Sequence, residues 1–225
     1  MNKFNIDHDS LTLVQENFLS ADDITDIKEK VLLLKDLWQP HSRTDDIFLL
    51  PYGAYNGATT ENISQYKPVM KEKFGTYYEK ILDTLTSIFG LSKYDDQNNY
   101  PGFHIFPGPL ESTGINFHND AFPQFPNNFY ETYSAIIPIE LGSNCGLLYT
   151  DKKYQDKFNH FRFDSTFTDC IHYPYTIGNF YIWYGKLVHS IAPVTLQENQ
   201  HRITMQMHIA IPKVNFLKRP NTVFW

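Results

Sequence analysis

The stretch from Arg202 to Ile209 constrains the fold most, because its side chains alternate without a break. Arg202, Thr204, Gln206 and His208 share one parity, while Ile203, Met205, Met207 and Ile209 share the other. Successive residues of a β-strand point to opposite faces, so this segment is predicted to be a strand with one polar and one apolar face. The apolar face is expected to pack against helices and the polar face to line the interior of a barrel. An arginine on an interior face needs an anion, because an unpaired buried charge is expensive. A structural carboxylate or the carboxylate of a ligand would each meet that need.

From Tyr100 onward the chain repeats this kind of signal. Phe103–Phe106, Ile115–Asp120, Tyr133–Ile139, Leu147–Tyr149, Phe180–Trp183 and Lys186–Ile191 read as short strands between Gly, Pro and Asn turns. Residues 151–170 show no clear period. Before Tyr100 the periodicity is helical. Leu11–Leu19 reads as a strand entering a turn. Ser20 is placed to cap a helix, and Asp22 and Asp23 follow in the first turn, where the helix dipole favours negative charge. Ile24, Ile27, Val31 and Leu34 recur at helical spacing, and Pro40 is expected to end that helix near Leu37–Trp38. Residues 41–64 read as an irregular connection carrying Tyr52 and Tyr55. A longer helix is predicted over Gln65–Phe89, with Gly90 placed to terminate it. Helices first and many short strands afterwards indicate a mainly β fold with N-terminal helices, a double-stranded β-helix of the jelly-roll-like, cupin-type barrel kind. The expected organisation is one domain, with a helical part at 1–99, a barrel at 100–212 and a tail at 213–225.

Within the strand Ile115–Asp120, His118 and Asp120 are two apart and project an imidazole and a carboxylate to one side. His189 lies far down the chain. Two histidines and a carboxylate on one face of a metal leave the opposite positions open, the facial arrangement of non-haem iron(II) oxygenases. Arg202 follows 13 residues after His189, with Thr204 on its face of the strand. A guanidinium fork holds a carboxylate with two hydrogen bonds, and a neighbouring hydroxyl adds a donor.

The order His-x-Asp, distant His, Arg-x-Thr resembles the 2-oxoglutarate/iron(II)-dependent dioxygenase superfamily over roughly Tyr100–Pro212. The run Gly102–Pro109 leading to His118 resembles its prolyl-hydroxylase-like branch. The resemblance implies iron(II) on His118, Asp120 and His189, and 2-oxoglutarate as cosubstrate with its distal carboxylate on Arg202 beside Thr204. It further implies O2 as oxidant, with succinate and CO2 released as an unactivated C–H bond is hydroxylated, desaturated or cyclised. Halogenating relatives carry a small residue where Asp120 stands, so the carboxylate argues against halogenation. Tyr133 and Asn116 are further candidates for cosubstrate contact. His104, Gln206 and His208, with Tyr52 and Tyr55, are candidates for substrate or supporting contacts. No catalytic residue beyond the metal ligands is assigned.

The formal net charge of −6 and pI near 5.8, with no run of Lys or Arg, argue against a nucleic-acid partner. No stretch approaches the roughly 18 apolar residues of a membrane span, and the N-terminus lacks the apolar core of a secretion signal. A cytoplasmic protein is expected, with Cys145 and Cys170 as free thiols. The expected partner is a small molecule, an amino acid or a peptide side chain. Two other functions compete: a non-catalytic barrel that binds a small acid or a partner, and a cupin-type metal enzyme that does not use 2-oxoglutarate. The intact triad speaks against the first and the Arg-x-Thr pair against the second.

Overall fold

A computed structural model describes residues 4–7, 12–41, 44–50, 60–89, 102–112, 117–120, 130–150, 170–185 and 187–212. In chain order these residues form β1 (Phe4–Asp7), β2 (Thr12–Gln15), α1 (Ala21–Leu33), β3 (Gln39–His41), β4 (Thr44–Leu50) and α2 (Thr60–Phe89). There follow β5 (Gly102–Pro107), β6 (Leu110–Ser112), β7 (Tyr130–Glu140), β8 (Gly146–Thr150) and β9 (Cys170–Pro174). The last are β10 (Phe180–Tyr184), β11 (His189–Ile191), β12 (Val194–Leu196) and β13 (His201–Pro212). An eight-stranded sheet runs in the order β1-β2-β10-β7-β13-β5-β4-β3, and two smaller sheets run β11-β8-β9 and β12-β6. Two antiparallel sheets face to face, with helices behind the larger one, make the double-stranded β-helix that the strand pattern predicts.

The two faces of the large sheet carry different chemistry. Ile203, Met205 and Met207 of β13 join Ala135, Ile137 and Ile139 of β7, Phe103 and Ile105 of β5, and Ile182 of β10 in one buried cluster. Ile27 and Val31 of α1 and Met70, Phe74, Ile81 and Leu85 of α2 close that cluster from the other side. Each such side chain contributes about 2 kcal/mol by leaving water, so this layer fixes which face of β13 turns inward. On the inner face, Ile136, Tyr181 and Trp183 pack against Leu147 and Tyr149 of β8 and against Leu187. Further along, Ile47 and Phe106 pack against Ile191, Val194 and Leu196.

The N-terminal part contributes more than helices. β1 and β2 lie at one edge of the large sheet and β3 and β4 at the other, so residues 44–50 form a strand inside the stretch 41–64 that is expected to be irregular. Pro40 is compatible with this because β3 is an edge strand, where a missing N–H breaks no ladder. α1 stops at Leu33 and gives way to a 3-10 turn at Lys35–Leu37, short of the expected end. α2 begins at Thr60, earlier than expected, so Pro68 lies inside it. β6, β9 and β12 are strands that the sequence pattern does not announce. Among the described residues no helix is long and apolar enough to cross a membrane.

α1 starts with a capping box. The Ser20 hydroxyl accepts from Asp23 N–H at 3.1 Å, and the Asp23 carboxylate accepts from Ser20 N–H at 3.0 Å. Gly178 ties this corner to the sheet: its carbonyl accepts from Leu19 N–H and its N–H donates to Pro138 O, each at 2.9 Å. Its φ of +78° and a space only 2.8 Å from Ile24 Cδ1 leave no room for a side chain. Ser20→Ala is expected to lower unfolding free energy by about 1 kcal/mol, measured by chemical denaturation near pH 7. Asp23 titrates below its ordinary 3.8, first because it accepts from the Ser20 backbone. The stabilisation from this contact is therefore complete above about pH 3.8 and is lost as pH falls through the lower folded value. Denaturation of the parent and Asp23→Asn proteins at pH 7 and pH 3 should show their difference shrinking in acid.

Candidate active site

Two backbone hydrogen bonds build the site. His118 N–H donates to His189 O and His189 N–H donates to His118 O, each at 2.8 Å. This is an antiparallel pair that sets both imidazoles on one side. β11 in turn pairs with β8, with His189 opposite Tyr149. Asp120 N–H donates to Gly185 O at 2.7 Å, which anchors the carboxylate's backbone beside the same segment. His118, Asp120 and His189 offer one ligand atom each, all within 4.8 Å of one another. His118 Nε2 lies 3.6 Å from Asp120 Oδ1, and His189 Nε2 lies 3.3 Å from Asp120 Oδ2.

Neighbouring groups fix the orientation of these ligands. Leu187 O lies 2.9 Å from His189 Nδ1, so a proton there leaves the Nε2 lone pair toward Asp120 and His118. The Ser134 hydroxyl donates to Asp120 Oδ2 at 2.6 Å. Trp183 packs edge-on against the His189 ring, centroids 5.2 Å apart. Burial works against a charged His189, but the Asp120 carboxylate and the hydrogen bonds the ring makes to Asp120 and to Leu187 O outweigh it and raise its affinity for a proton. Two imidazoles and a carboxylate converging on one point suit a divalent transition metal bound from one face.

Arg202 lies on the inner face of β13 and is 0 % exposed. Its Nε, Nη1 and Nη2 are buried, and none has a hydrogen-bond partner. Its guanidinium stacks on the Phe106 ring at 4.8 Å. Burial depresses its proton affinity, and the nearest polar groups that support its charge are Cys145 and Tyr175. The Cys145 thiol sits close enough to interact but not in hydrogen-bonding geometry. Burial also pushes the Tyr175 hydroxyl well above its ordinary range, so it stays neutral. No carboxylate among the described residues pairs with Arg202, and a buried cation in that state calls for an anion.

Thr204 shares the inner face and is fully buried, and its Oγ1 accepts from Gln206 Nε2 at 3.2 Å. His104 stands opposite Thr204 in the register of β5 and β13 and is buried on the same face. Tyr133 does not reach the site. It shares parity with Ala135, Ile137 and Ile139, packs against the helix-side core, and stacks on Tyr184 at 5.7 Å. Its neighbour Ser134 is the β7 residue that faces the ligands. The backbone of His208 lies opposite Ser134, but its side chain lies outside the described set. Asn116, Tyr52 and Tyr55 lie outside the described residues. Sequence reasoning missed Ser134, Trp183, Tyr175 and Cys145. Parity along β7 is the signal that would have exchanged Tyr133 for Ser134.

No family model and no curated protein matches this chain. Solved structures do. EvdO2 from Micromonospora carbonacea var. aurantiaca, complexed with 2-oxoglutarate, superposes with a TM-score of 0.60 at 12% identity over 94% of each chain. An oxidoreductase of the 2OG-Fe(II) oxygenase family from Burkholderia pseudomallei gives 0.53 at 11% identity, over 88% of this chain and 83% of that one. HygX from Streptomyces hygroscopicus, with nickel, 2-oxoglutarate and hygromycin B bound, gives 0.55 at 9% identity over 89% and 82%. The fold is that of the 2-oxoglutarate/iron(II) oxygenases. Within that fold the His-Asp-His group lies at the edge of the small sheet and Arg202 on the large one. Ser134→Ala is expected to weaken binding of a divalent metal by about 10-fold, since it frees the carboxylate that the hydroxyl now holds. Competition with a chromophoric chelator measures this directly, and unchanged affinity would remove Ser134 from that role.

Proposed function

We propose that this protein is an iron(II)- and 2-oxoglutarate-dependent oxygenase that oxidises an unactivated C–H bond of a small molecule, an amino acid or a peptide side chain. The observation that carries the reading is the buried, unpartnered guanidinium of Arg202 on the same interior as a His-Asp-His triad. His118, Asp120 and His189 would hold the metal from one face and leave the other positions to cosubstrate and O2. Iron(II), 2-oxoglutarate and O2 together supply the oxidising power, with release of succinate and CO2. The chain's own residues do the rest. Leu187 O and Ser134 hold two of the ligands in register. Arg202 would receive the distal carboxylate of the diacid, with the Thr204 hydroxyl beside it. The aromatic and aliphatic layer of Tyr149, Tyr181, Trp183 and Leu187 keeps water from the interior.

A carboxylate at Asp120 leaves no ligand position for chloride, which supports hydroxylation or a related oxidation. The bound hygromycin B of HygX supports a small-molecule substrate for a fold of this size. Succinate formation that requires both iron(II) and 2-oxoglutarate, measured while candidate metabolites are varied, tests the reading. His118→Ala is expected to abolish it, and undiminished turnover in that variant would overturn the ligand assignment. Arg202→Ala is expected to raise the 2-oxoglutarate requirement by about 30-fold or more, because a desolvated charge pair is worth at least about 2 kcal/mol. An unchanged requirement would take Arg202 out of its role.

A further inference from the structure

Trp183 holds a donor that no acceptor among the described residues uses. It sits on β10 beside Ser134 of β7, is 5 % exposed, and its Nε1 is buried with no hydrogen-bond partner. An indole nitrogen can only donate. Nearby, the Ser134 hydroxyl donates to Asp120, and His189 Nδ1 lies against Leu187 O. Trp183 also makes ring contact with His189, so it stands in the wall next to the ligand set. A buried donor left without an acceptor is costly, and such donors in a protein interior are commonly kept for an occupant.

We propose that the Trp183 indole N–H donates to the metal-bound carboxylate of the 2-oxo acid. This rests on the function proposed above. Trp183 would thus be a cosubstrate-binding residue at the metal end of the diacid, complementary to Arg202 at the far end. The acceptor is an oxygen carrying negative charge, which is the strongest partner for a lone N–H. A side chain chosen only for packing on His189 would not need the nitrogen, and Phe would serve.

The test separates the nitrogen from the ring. In one variant Trp183 becomes Phe. In the other it is replaced by the benzothiophene analogue of tryptophan, which keeps the bicyclic shape and exchanges N–H for sulfur. Binding of 2-oxoglutarate to the iron(II)-loaded full chain is measured under argon by calorimetry, alongside iron(II) affinity and circular dichroism. Both variants are expected to bind 2-oxoglutarate about tenfold more weakly, with iron(II) affinity within twofold of the parent. Parent-like 2-oxoglutarate binding in the benzothiophene protein overturns the inference, whatever Phe does, because shape alone then suffices. A matching loss of iron(II) affinity also overturns it, because Trp183 then acts through His189. If the parent binds iron(II) but no 2-oxoglutarate, the proposed function falls and the inference falls with it. If the parent binds 2-oxoglutarate and the benzothiophene protein binds it as tightly, the inference falls alone.

Discussion

The site depends on the pair of hydrogen bonds exchanged by the backbones of His118 and His189, each 2.8 Å long. Those residues are far apart in sequence, so closing the chain between them costs conformational entropy that local contacts cannot return. The return comes from the sheet. β11 pairs with β8, β8 pairs with β9, and Leu147, Tyr149 and Leu187 pack onto the inner face of the large sheet. Once that layer is in place, the antiparallel register leaves one arrangement for the two imidazoles. Asp120, two residues on, is then brought to the same point by its own bond to Gly185 and by Ser134 from the opposite sheet.

Arg202 presents the complementary constraint. Its strand is held by apolar side chains at alternate positions, and their burial against α1 and α2 is worth far more than one misplaced polar group. The sheet therefore forces the guanidinium inward, over the Phe106 ring and near Cys145 and Tyr175, with no carboxylate partner among the described residues. A chain under selection for stability alone could place an apolar residue there at less cost. A buried cation without a carboxylate partner among the described residues is what the proposed ligand role would explain.

Much of this was legible in the sequence, because period-two alternation survives wherever one face of a strand is buried. β13 shows it cleanly, and it assigns Ile203 and Arg202 to opposite faces. β9 could not be read in this way: Ile171 and His172 are both exposed, so burial imposes no alternation there. β4 opens with Thr44, Asp45 and Asp46, residue types that favour turns, yet pairing with β5 through Phe48, Leu49 and Leu50 overrides that preference. Tyr133 was misplaced by chemistry-first reasoning. A tyrosine hydroxyl near the ligands was an attractive donor, but its apolar neighbours at 135, 137 and 139 already placed it on the helix side. The proximity of Trp183 to His189 and of Cys145 and Tyr175 to Arg202 leaves no periodic trace, because it joins segments far apart in sequence and across the two sheets.

That last point bears on how the site responds to change. The two histidines ride on the small sheet and its extension, whereas Arg202 and Ser134 ride on the large one. The spacing between metal ligands and cation is therefore set by the packing between sheets, not by either sheet alone. The clusters at that interface, Ile136, Leu147, Tyr181 and Leu187 at one end and Phe106, Ile191 and Val194 at the other, act as its spacer. Protein interiors are close-packed, so losing even a methylene there shifts neighbours rather than leaving them still. A shift of the sheets would move Arg202 relative to the triad before it disturbed the triad itself, whose two histidines are locked by their own backbone pair. The mutual placement of the two imidazoles is a local property of one short ladder, and their distance from Arg202 is a property of the whole sandwich.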